Sequence, residues 1–328
     1  MRALICKAYG EGAALSVGDL PIPTPKSAQV QVQVARAGTA YVDALMVRNK
    51  HQNKHPLPFA PGMAFAGTVT ITGPDVEHVT VGQRVMGLCY DGALAEFAVA
   101  PSTEVFPLPD EIPFDVGATL ASAYLTPHAA LKWEANLQPG ERLLVMGASG
   151  TVGSAAVALG KALGAEVIGG ASTAEKVAMA RTVGADHGIC YGDGEVHELV
   201  ETTTGNKNID VIFDPVGGPL FESAFKTLDW GGRYIVIGFA GGTIPQFAGN
   251  RLLVKNRKAI GFVLMHYRRK RTDLLAQSAA ELCTLVSDGV LDASPQRVVS
   301  LANAGTAIDD FFYRRASGIT LANISDRT

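Results

Sequence analysis

The sequence has few cysteines and no long hydrophobic run, and each absence excludes a class of protein. The four cysteines are scattered without paired spacing, at Cys6, Cys89, Cys190 and Cys283. This spacing excludes a zinc ribbon or a disulfide framework and favours a reducing, cytoplasmic environment. No apolar stretch is long and clean enough to span a bilayer, and no signal peptide is expected before the strand-like run at 2–6. We therefore expect no membrane partner.

Excess charge is also scarce. The chain has 28 Lys and Arg against 31 Asp and Glu, a net charge of −3, so nothing attracts it generally to nucleic acid or an anionic membrane. One dense basic run stands out, residues 266–271 (His-Tyr-Arg-Arg-Lys-Arg). We interpret it as the solvated start of a helix through Leu274, Leu275 and Ala279. The alternatives are contact with a phosphate-bearing molecule such as coenzyme A, or with nucleic acid, for which a single run is a weak footprint.

The chain is long enough for two domains, with 328 residues of which 47% are hydrophobic. Up to about residue 115, short alternating strands are broken by Pro and Gly at intervals of about ten residues, which predicts a compact antiparallel or barrel-like region. The strands expected there are 2–6, 30–34, 67–71, 83–87 and 96–99.

From about residue 120, strands alternate with helices, which predicts an open parallel sheet. The strands expected there are 142–146, 166–170, 187–191, 209–214 and 233–238. From about residue 260 the elements become shorter again, and the chain ends with a helix near 303–315 and a strand at 319–321.

A glycine-rich turn, residues 147–153 (Gly-Ala-Ser-Gly-Thr-Val-Gly), follows an apolar strand and precedes a helical pattern. Apolar residues at three-to-four spacing indicate the helix: Val152, Ala155, Ala156, Leu159 and Leu163. In such a βαβ unit, glycines allow a tight turn, close approach of a diphosphate and close helix–strand packing, and the helix N-terminus attracts the diphosphate. A purely structural turn is the alternative. The predicted dinucleotide contacts are Gly147, Ser149, Gly150, Thr151, Val152 and Gly153.

The next predicted strand has no carboxylate at its tip. Sites that prefer NAD place an Asp or Glu about 20 residues beyond the glycines, where it binds the ribose 2′-hydroxyl. Here the strand ends in Ala171 and Ser172, which leaves room for a 2′-phosphate that Ser172 and Lys176 could bind. Ser172 and Glu175 also have the spacing of a helix capping box, and both roles are compatible. The absence favours NADP (NADPH) over NAD.

Further stretches are shared with a known family. They are 57–63 (Leu-Pro-Phe-Ala-Pro-Gly-Met), 121–126 (Ala-Ser-Ala-Tyr-Leu-Thr), 135–141 (Ala-Asn-Leu-Gln-Pro-Gly-Glu), the turn 147–153, 184–187 (Gly-Ala-Asp-His), 213–218 (Phe-Asp-Pro-Val-Gly-Gly) and 231–233 (Gly-Gly-Arg). In these stretches and their order, the chain resembles the zinc-independent, zeta-crystallin-like quinone oxidoreductase branch of the medium-chain dehydrogenase/reductase superfamily.

The resemblance implies an α/β fold of two domains. A GroES-like, β-rich catalytic domain would comprise residues 1–120 and 260–328. A doubly wound parallel-sheet Rossmann domain would comprise residues 121–259, with a cleft between the two domains. A homodimer, formed through edge strands of the Rossmann sheet near 233–263, is also implied.

Further cofactor contacts follow from the resemblance. Thr126 is similar in place to a threonine beside the nicotinamide, and Tyr191 to a tyrosine that packs by the adenosine 2′-phosphate. Asp214, Gly238 and Phe239 are expected at the carboxyl ends of strands, where this topology places ligands.

Arg315 is similar in placement to a C-terminal arginine that reaches the same phosphate. The residues themselves favour Arg315 over Arg314, because Asp310 and Arg314 lie four apart on the predicted helix and can pair. Arg315 has Phe311 at that spacing. An exposed surface arginine is the alternative.

No metal site is predicted. Zinc-dependent relatives place a cysteine and a Gly-His-Glu segment around a catalytic ion, and the corresponding stretches here carry Ala37 and Met63. Their four-cysteine structural lobe is missing as well. His51 and His55 have the spacing of a helical metal pair, but Pro56 disfavours a helix there and no third ligand is evident.

Without a metal, a reductase of this kind needs acceptors that are already electrophilic, namely quinones, enones or enoyl thioesters. Its residues align the reactants and donate hydrogen bonds to the oxygen that gains charge. Tyr41 and His51 are the candidate catalytic donors, and a histidine can also protonate a product near neutral pH. Core packing of Tyr41 and an ordinary exposed loop position of His51 are the alternatives. Ala64, where relatives usually have an acid, indicates a reshaped pocket or reduced activity.

Three functions are consistent with the sequence. The first is an NADPH-dependent, metal-independent reductase of quinones or activated enones. The second is an enoyl-thioester reductase for acryloyl or crotonyl substrates, whose phosphates would meet the basic residues 268–271. The third, of another class, is an NADPH-binding sensor, structural or RNA-binding protein with little catalysis, which the residues at Ala64 and His51 would suit.

Overall fold

The computed structural model describes residues 1–9 and 15–325. The chain divides into two compact units, one of Met1–Leu125 with Tyr267–Thr328 and the other of Thr126–His266. The sequence analysis places these boundaries a few residues earlier, after 120 and 259. In the described part of the chain, no helix combines the length and the apolar character needed to cross a membrane.

Strands and helices have the following limits. The strands are β1 (Arg2–Cys6), β2 (Leu15–Asp19), β3 (Gln29–Thr39), β4 (Ala64–Thr72), β5 (Arg84–Leu88), β6 (Phe97–Pro101), β7 (Val105–Pro107), β8 (Arg142–Met146), β9 (Glu166–Ala171), β10 (His187–Cys190), β11 (Ile209–Asp214), β12 (Leu228–Val236), β13 (Lys258–Gly261), β14 (Arg297–Ser300) and β15 (Thr320–Asn323). The α-helices are α1 (Tyr41–Val47), α2 (Phe114–Thr119), α3 (Leu125–His128), α4 (Thr151–Ala162), α5 (Ala174–Thr182), α6 (Val196–Thr204), α7 (Phe221–Thr227), α8 (Gly249–Leu253), α9 (Leu264–Lys270), α10 (Thr272–Ser287) and α11 (Ala304–Phe312). Short 3-10 turns lie at Ser102–Glu104, Tyr191–Asp193, Gly218–Leu220 and Leu301–Asn303, and π-helical segments at Leu120–Tyr124 and Ala129–Glu134.

The first unit is built mainly on antiparallel strands, as its short alternating strands predict. Its seven-stranded sheet has the order β14-β15-β3-β4-β5-β7, with β6 pairing with β3, while β1 and β2 form a separate pair. Only the pairing of β14 with β15 is parallel among the described strands of this unit. Along β3, Val30, Val32 and Val34 are fully buried, the period-two pattern of a strand with one face in the core.

The second unit is a six-stranded parallel sheet in the order β10-β9-β8-β11-β12-β13. Leu143, Leu144 and Val145 of β8 are all fully buried, as expected for a parallel strand covered on both faces. The order runs outward from β8 in one direction and from β11 in the other, so these neighbours flank the point where it reverses. Ligands of doubly wound sheets bind at this point, beyond the carboxyl ends of the strands. The predicted doubly wound Rossmann sheet is confirmed.

Several predicted elements have different limits, among them β3, which runs to Thr39 and not 34, β12 and the C-terminal helix. β12 begins at Leu228, well before the expected start at 233, because Leu228 already pairs with Ile209 and regular pairing resumes at Arg233 after a shift of register. β12 ends at Val236, two residues before the predicted end at 238. The C-terminal helix expected at 303–315 is α11, which ends at Phe312.

Candidate functional site

The glycine turn between β8 and α4 is a surface of bare backbone. Gly147 has a φ of +62°, a left-handed conformation that glycine adopts without strain. A Cβ on Gly153 would lie 2.1 Å from the carbonyl oxygen of Gly147, so only glycine allows this approach of helix and turn. α4 begins at Thr151, and its N-cap Gly150 has no side chain to accept from the first turn. These features fit a diphosphate at the helix N-terminus.

The phenol of Tyr191, directly after β10, braces this turn. Its hydroxyl accepts the N–H of Gly147 at 2.7 Å and donates to the carbonyl of Gly170 at 2.6 Å. A Cβ on Gly170 would lie 2.6 Å from the Tyr191 ring. Burial raises the pKa of Tyr191, so the hydroxyl keeps the proton that it donates. Tyr191 therefore supports the dinucleotide turn, while its contact with an adenosine 2′-phosphate stays a prediction.

The tip of β9 carries no acid, since the buried Ala171 is followed by the exposed Ser172. The capping box predicted from Ser172 is wrong. α5 starts at Ala174 with Thr173 as its N-cap, and the Thr173 hydroxyl accepts the N–H of Lys176 at 3.3 Å. The backbone of Thr173 is extended, at φ −143° and ψ 160°, which makes it the last residue outside the helix. Ser172 lies before the cap, and the half-buried Lys176 lies in the first turn.

Asp214, at the carboxyl end of β11, holds the loop that follows it. Its buried carboxylate accepts the N–H of Val216 at 2.7 Å and of Gly217 at 2.9 Å, and also the hydroxyl of Tyr234. Burial raises the pKa of Asp214 despite these donors. The loop adjoins the glycine turn, because a Cβ on Gly147 would lie 2.9 Å from Val216. Asp214 thus lies at the expected strand end, with its carboxylate bonded to its own loop.

The other predicted contacts of the second unit are more open. Gly238 and Phe239 follow β12; a Cβ on Gly238 would lie 3.2 Å from the carbonyl oxygen of Pro215, and Phe239 is 45% exposed. Thr126 is half-buried in α3, between the two π-helical segments. The π-helix is a rare conformation that is frequent at functional sites. The glycine turn 147–153 also contains the buried Ser149 and the half-buried Thr151 and Val152.

Tyr41 opens α1 in the first unit and is 43% exposed, which excludes core packing. Asp43 is a buried residue that the sequence analysis missed. Its carboxylate accepts the N–H of Ala40 at 2.8 Å and the N–H of Gly62 at 2.9 Å. Asp43 is the third residue of the helix, a capping-box position. The pattern was hidden in the sequence because the N-cap is Ala40 and not a serine or threonine.

His51 lies in a bend after α1 and is half-buried. Its Nδ1 accepts the N–H of Asn53 at 3.3 Å, which assigns the proton of the neutral ring to Nε2. Partial burial lowers the pKa of His51, and the neighbouring His55 and Lys54 lower it further. At pH 7 most His51 rings are therefore neutral, with Nε2–H as a hydrogen-bond donor.

The two positions compared above with zinc-ligand positions of relatives carry Ala37 and Met63 in the first unit. Ala37 is buried within β3 and Met63 directly precedes β4, and neither side chain is a zinc ligand. His55 is engaged elsewhere, with its Nδ1 2.6 Å from Asp91 Oδ2 and its ring stacked on Phe59 at 5.1 Å. Among residues 1–9 and 15–325, no group of three or more His, Cys, Asp or Glu could hold a metal ion.

Asp310 pairs with Arg315, whereas the sequence analysis assigns it to Arg314. The helix ends at Phe312, and Arg314 has a left-handed φ of +59°, so the chain turns back at this point. The Arg315 Nε lies 3.2 Å from Asp310 Oδ1, and its backbone N–H donates to the Asp310 carbonyl at 2.8 Å. The Arg315 side chain is 61% exposed, and its contact with a phosphate stays a prediction.

The basic run 266–271 is not one solvated helix start. Residues 266–270 lie on α9, and α10 begins separately at Thr272, because Arg271 between them leaves the helical conformation at φ −136° and ψ 52°. Arg268 is buried, where its Nε–H donates to Glu104 at 2.9 Å and a terminal N–H donates to the carbonyl of Cys89 at 2.9 Å. Arg269 is exposed, as expected for the run.

Comparisons with known proteins agree with this architecture. Residues 26–110 match the family described as alcohol dehydrogenase GroES-like domain, and residues 151–280 match zinc-binding dehydrogenase. The chain is 33% identical to quinone oxidoreductase-like protein 2 of Bos taurus, over 98% of this chain and 97% of that protein.

Solved structures are similar over nearly the whole chain. A quinone oxidoreductase of Pseudomonas syringae pv. tomato has 27% identity and a TM-score of 0.88, covering 98% of this chain and 100% of that one. The quinone oxidoreductase of Thermus thermophilus, solved also in complex with NADPH, has 29% identity and a TM-score of 0.81, covering 99% and 100%. The resemblance seen in the sequence motifs is confirmed. The chain belongs to the quinone oxidoreductase family of the medium-chain dehydrogenase/reductase superfamily.

Proposed function

We propose that this protein is an NADPH-dependent reductase that transfers hydride to quinones or activated enones without a metal ion. The observation that carries the proposal is the bare glycine turn at the switch point of the parallel sheet, beside a strand tip that has no carboxylate. The turn suits a dinucleotide, and the missing acid suits a 2′-phosphate.

The residues present fit NADPH. Gly147 and Gly153 leave the backbone open for a diphosphate, and the N-terminus of α4 attracts its charge. Ser172 and Lys176 would bind the 2′-phosphate, where an Asp or Glu would repel it. The NADPH complex of the Thermus thermophilus relative supports this choice of cofactor.

NADPH, when bound, would supply the hydride, and Tyr41 and His51 are the proposed hydrogen-bond donors to the acceptor. The Tyr41 hydroxyl and the His51 Nε2–H donate to the acceptor oxygen as it gains negative charge. Because burial lowers the pKa of His51, the neutral ring is the hydrogen-bond donor at pH 7, and the smaller protonated fraction delivers the proton that completes the product. Ala37 and Met63 supply no ligand for a Lewis-acidic zinc ion, which supports an acceptor that is electrophilic by itself.

Two alternatives are weaker. An enoyl-thioester reductase relies on the basic residues 268–271, but Arg268 is buried against Glu104 and Arg271 pairs with Asp273 at 3.2 Å. Fewer charges than expected are then available for the phosphates of a thioester. An NADPH-binding sensor, structural or RNA-binding protein predicts tight binding of NADPH with no turnover.

We also infer a cytoplasmic homodimer. The four cysteines are free, which suits a reducing compartment. β13 is the last strand of the parallel sheet, and an open sheet edge is a surface that another chain can cover.

The proposal is tested by measuring NADPH and NADH consumption with small quinones, simple enones and crotonyl-coenzyme A. We expect turnover of quinones or enones with a preference for NADPH of at least about tenfold, the equivalent of about 1.4 kcal/mol. Ser172→Asp places a carboxylate at the tip of β9, and it should raise KM for NADPH by at least about tenfold without raising KM for NADH.

Ser294→Asp is the matched control, since it adds the same charge to an exposed serine of the first unit and should change neither KM. Turnover with crotonyl-coenzyme A alone would favour the thioester reductase. Measurable NADPH binding without turnover of any acceptor would contradict the reductase and favour the sensor or structural role.

A further inference from the structure

Asp43 is a buried carboxylate whose hydrogen bonds come from backbone groups and not from a cation. It is 1% exposed, with Oδ2 accepting the N–H of Ala40 and Oδ1 the N–H of Gly62. Glu104, a second buried carboxylate of the same unit, is paired with Arg268. Burying a charge without a cation is costly, and the two backbone N–H donors offset part of that cost.

The two backbone groups that Asp43 joins belong to different segments, the turn at Gly62 and the start of α1. Gly62 is held in place: its φ is +97°, and a Cβ there would lie 2.7 Å from the backbone nitrogen of Leu94. The residue after it, Met63, accepts the N–H of Cys89 at 2.9 Å. Ala40 is the N-cap of α1, a short helix whose first residue is the exposed Tyr41. The carboxylate therefore attaches the start of α1 to the closely packed Gly62 turn.

We propose that Asp43 is a positioning residue for the reduction, which holds the Tyr41 end of α1 against the Gly62 turn so that the Tyr41 hydroxyl can donate to the acceptor oxygen. The inference rests on the proposed function, because it assigns Tyr41 to the acceptor. Asp43 itself is buried and acts only through the backbone of α1. Misplacement of a donor by about 1 Å can lower a rate by about a hundredfold, so such a hold has a large effect.

The electrostatics give the hold a pH dependence. Burial raises the pKa of Asp43 to about 7 against the lowering effect of its backbone N–H donors. The titratable group facing it is the thiol of Cys89, which stays neutral because burial raises its pKa; Arg268, Asp91 and Glu104 also act on that thiol. Above about pH 7 the ionised carboxylate accepts both N–H groups, and below it the neutral acid accepts them more weakly. The hydrogen bonds from Ala40 and Gly62 to Asp43 should strengthen as the pH rises through 7.

Asp43→Asn tests the role, since the amide keeps the shape and one acceptor oxygen but no charge. We expect kcat for quinone reduction to fall about tenfold to a hundredfold with the Kd for NADPH unchanged. The ratio of wild-type to variant kcat should increase from pH 6 to pH 8. Amide hydrogen exchange should become faster at Ala40 or Gly62. Asp292→Asn is the matched control, because the exposed Asp292 also accepts a backbone N–H, from Ser294 at 2.9 Å.

A double-mutant cycle with Tyr41→Phe separates positioning from general damage to the fold. If Asp43 acts through Tyr41, Asp43→Asn should lower kcat much less in the Tyr41→Phe background. Equal losses in both backgrounds, or unchanged kcat and exchange in Asp43→Asn, would overturn the proposal. A wild-type protein that binds NADPH but reduces no acceptor would overturn the proposed function and the positioning role of Asp43 in catalysis together. Exchange at Ala40 and Gly62 would then still report whether Asp43 holds α1.

Discussion

Tyr191 and Asp214 both form hydrogen bonds with backbone groups near the glycine turn. Tyr191 bonds to the turn itself, and Asp214 bonds to the adjoining loop after β11. The sequence predicts the role of the glycines, because a tight turn and close packing of the following helix are local requirements. It does not predict the partner of Tyr191, since Gly147 is 44 positions away and becomes a neighbour only when β10, β9 and β8 pair. The choice of Thr173 over Ser172 as N-cap is equally hidden, because both have hydroxyls and only the backbone decides between them.

Tyr191→Phe should weaken both the fold and the cofactor site. The substitution removes the acceptor for the Gly147 N–H and leaves the ring in place over Gly170. A buried donor without a partner costs about 1–3 kcal/mol, so we expect the free energy of unfolding to fall by about that amount and the Kd for NADPH to rise several-fold. Urea unfolding and fluorescence titration with NADPH measure the two effects.

Tyr124→Phe is the matched control, because its hydroxyl donates to the carbonyl of Asp292 at 3.3 Å in the first unit. It should lower stability without changing the Kd for NADPH. An unchanged Kd in Tyr191→Phe as well would show that the hydroxyl does not shape the turn that binds the cofactor.

At the scale of elements, a buried ion pair between Arg268 and Glu104 anchors α9 in the first unit. The charge run 266–271 looks uniform in the sequence, and such runs are usually solvated. One of its arginines is nevertheless buried, because Glu104 lies beside it in space although it is 164 positions away in the chain. The two side chains are only 3% and 2% exposed, and this burial raises the pKa of Glu104 in spite of the Arg268 guanidinium.

Breaking the pair from one side should be far more damaging than removing it from both. Arg268→Met leaves Glu104 buried without its cation, so we expect a loss of about 3–5 kcal/mol in the free energy of unfolding. Glu104→Leu combined with Arg268→Met should recover much of that loss. Arg269→Met, on the exposed neighbour, should change stability by less than about 0.5 kcal/mol. Urea unfolding of the wild type and the three variants measures these free energies of unfolding. A small loss of stability in Arg268→Met would contradict a buried ion pair between Arg268 and Glu104.

At the scale of the whole molecule, the architecture can be predicted from the sequence, because it follows from hydrophobic periodicity and from the order of strands and helices along the chain. Alternating strands predict the antiparallel unit, and strands separated by helices predict the parallel one. The limits of β12 were not readable, because its first pairing, Leu228 with Ile209, precedes a shift of register around the glycines 231–232. Surfaces that another chain covers leave a trace only once the elements are placed, as exposed apolar side chains.

Such side chains lie next to the open edge of the parallel sheet. Trp230, Leu253 and Val254 are 70%, 78% and 79% exposed, and the N–H of Gly231 donates to the carbonyl of Lys255 at 2.8 Å, which brings their two segments together. Large exposed apolar surfaces mark sites of protein association, and a second copy of this chain is the partner that the family resemblance implies.

Leu253→Asp with Val254→Asp should therefore convert the proposed dimer into a monomer, because two carboxylates on this surface would be buried without partners in the proposed interface. Light scattering after size exclusion at micromolar concentration measures the mass of each protein. Val81→Asp, on a residue of the first unit that is 63% exposed, is the control and should remain dimeric. A wild-type mass of one chain at every concentration would contradict the dimer, and a dimeric double variant would place the interface elsewhere on the chain.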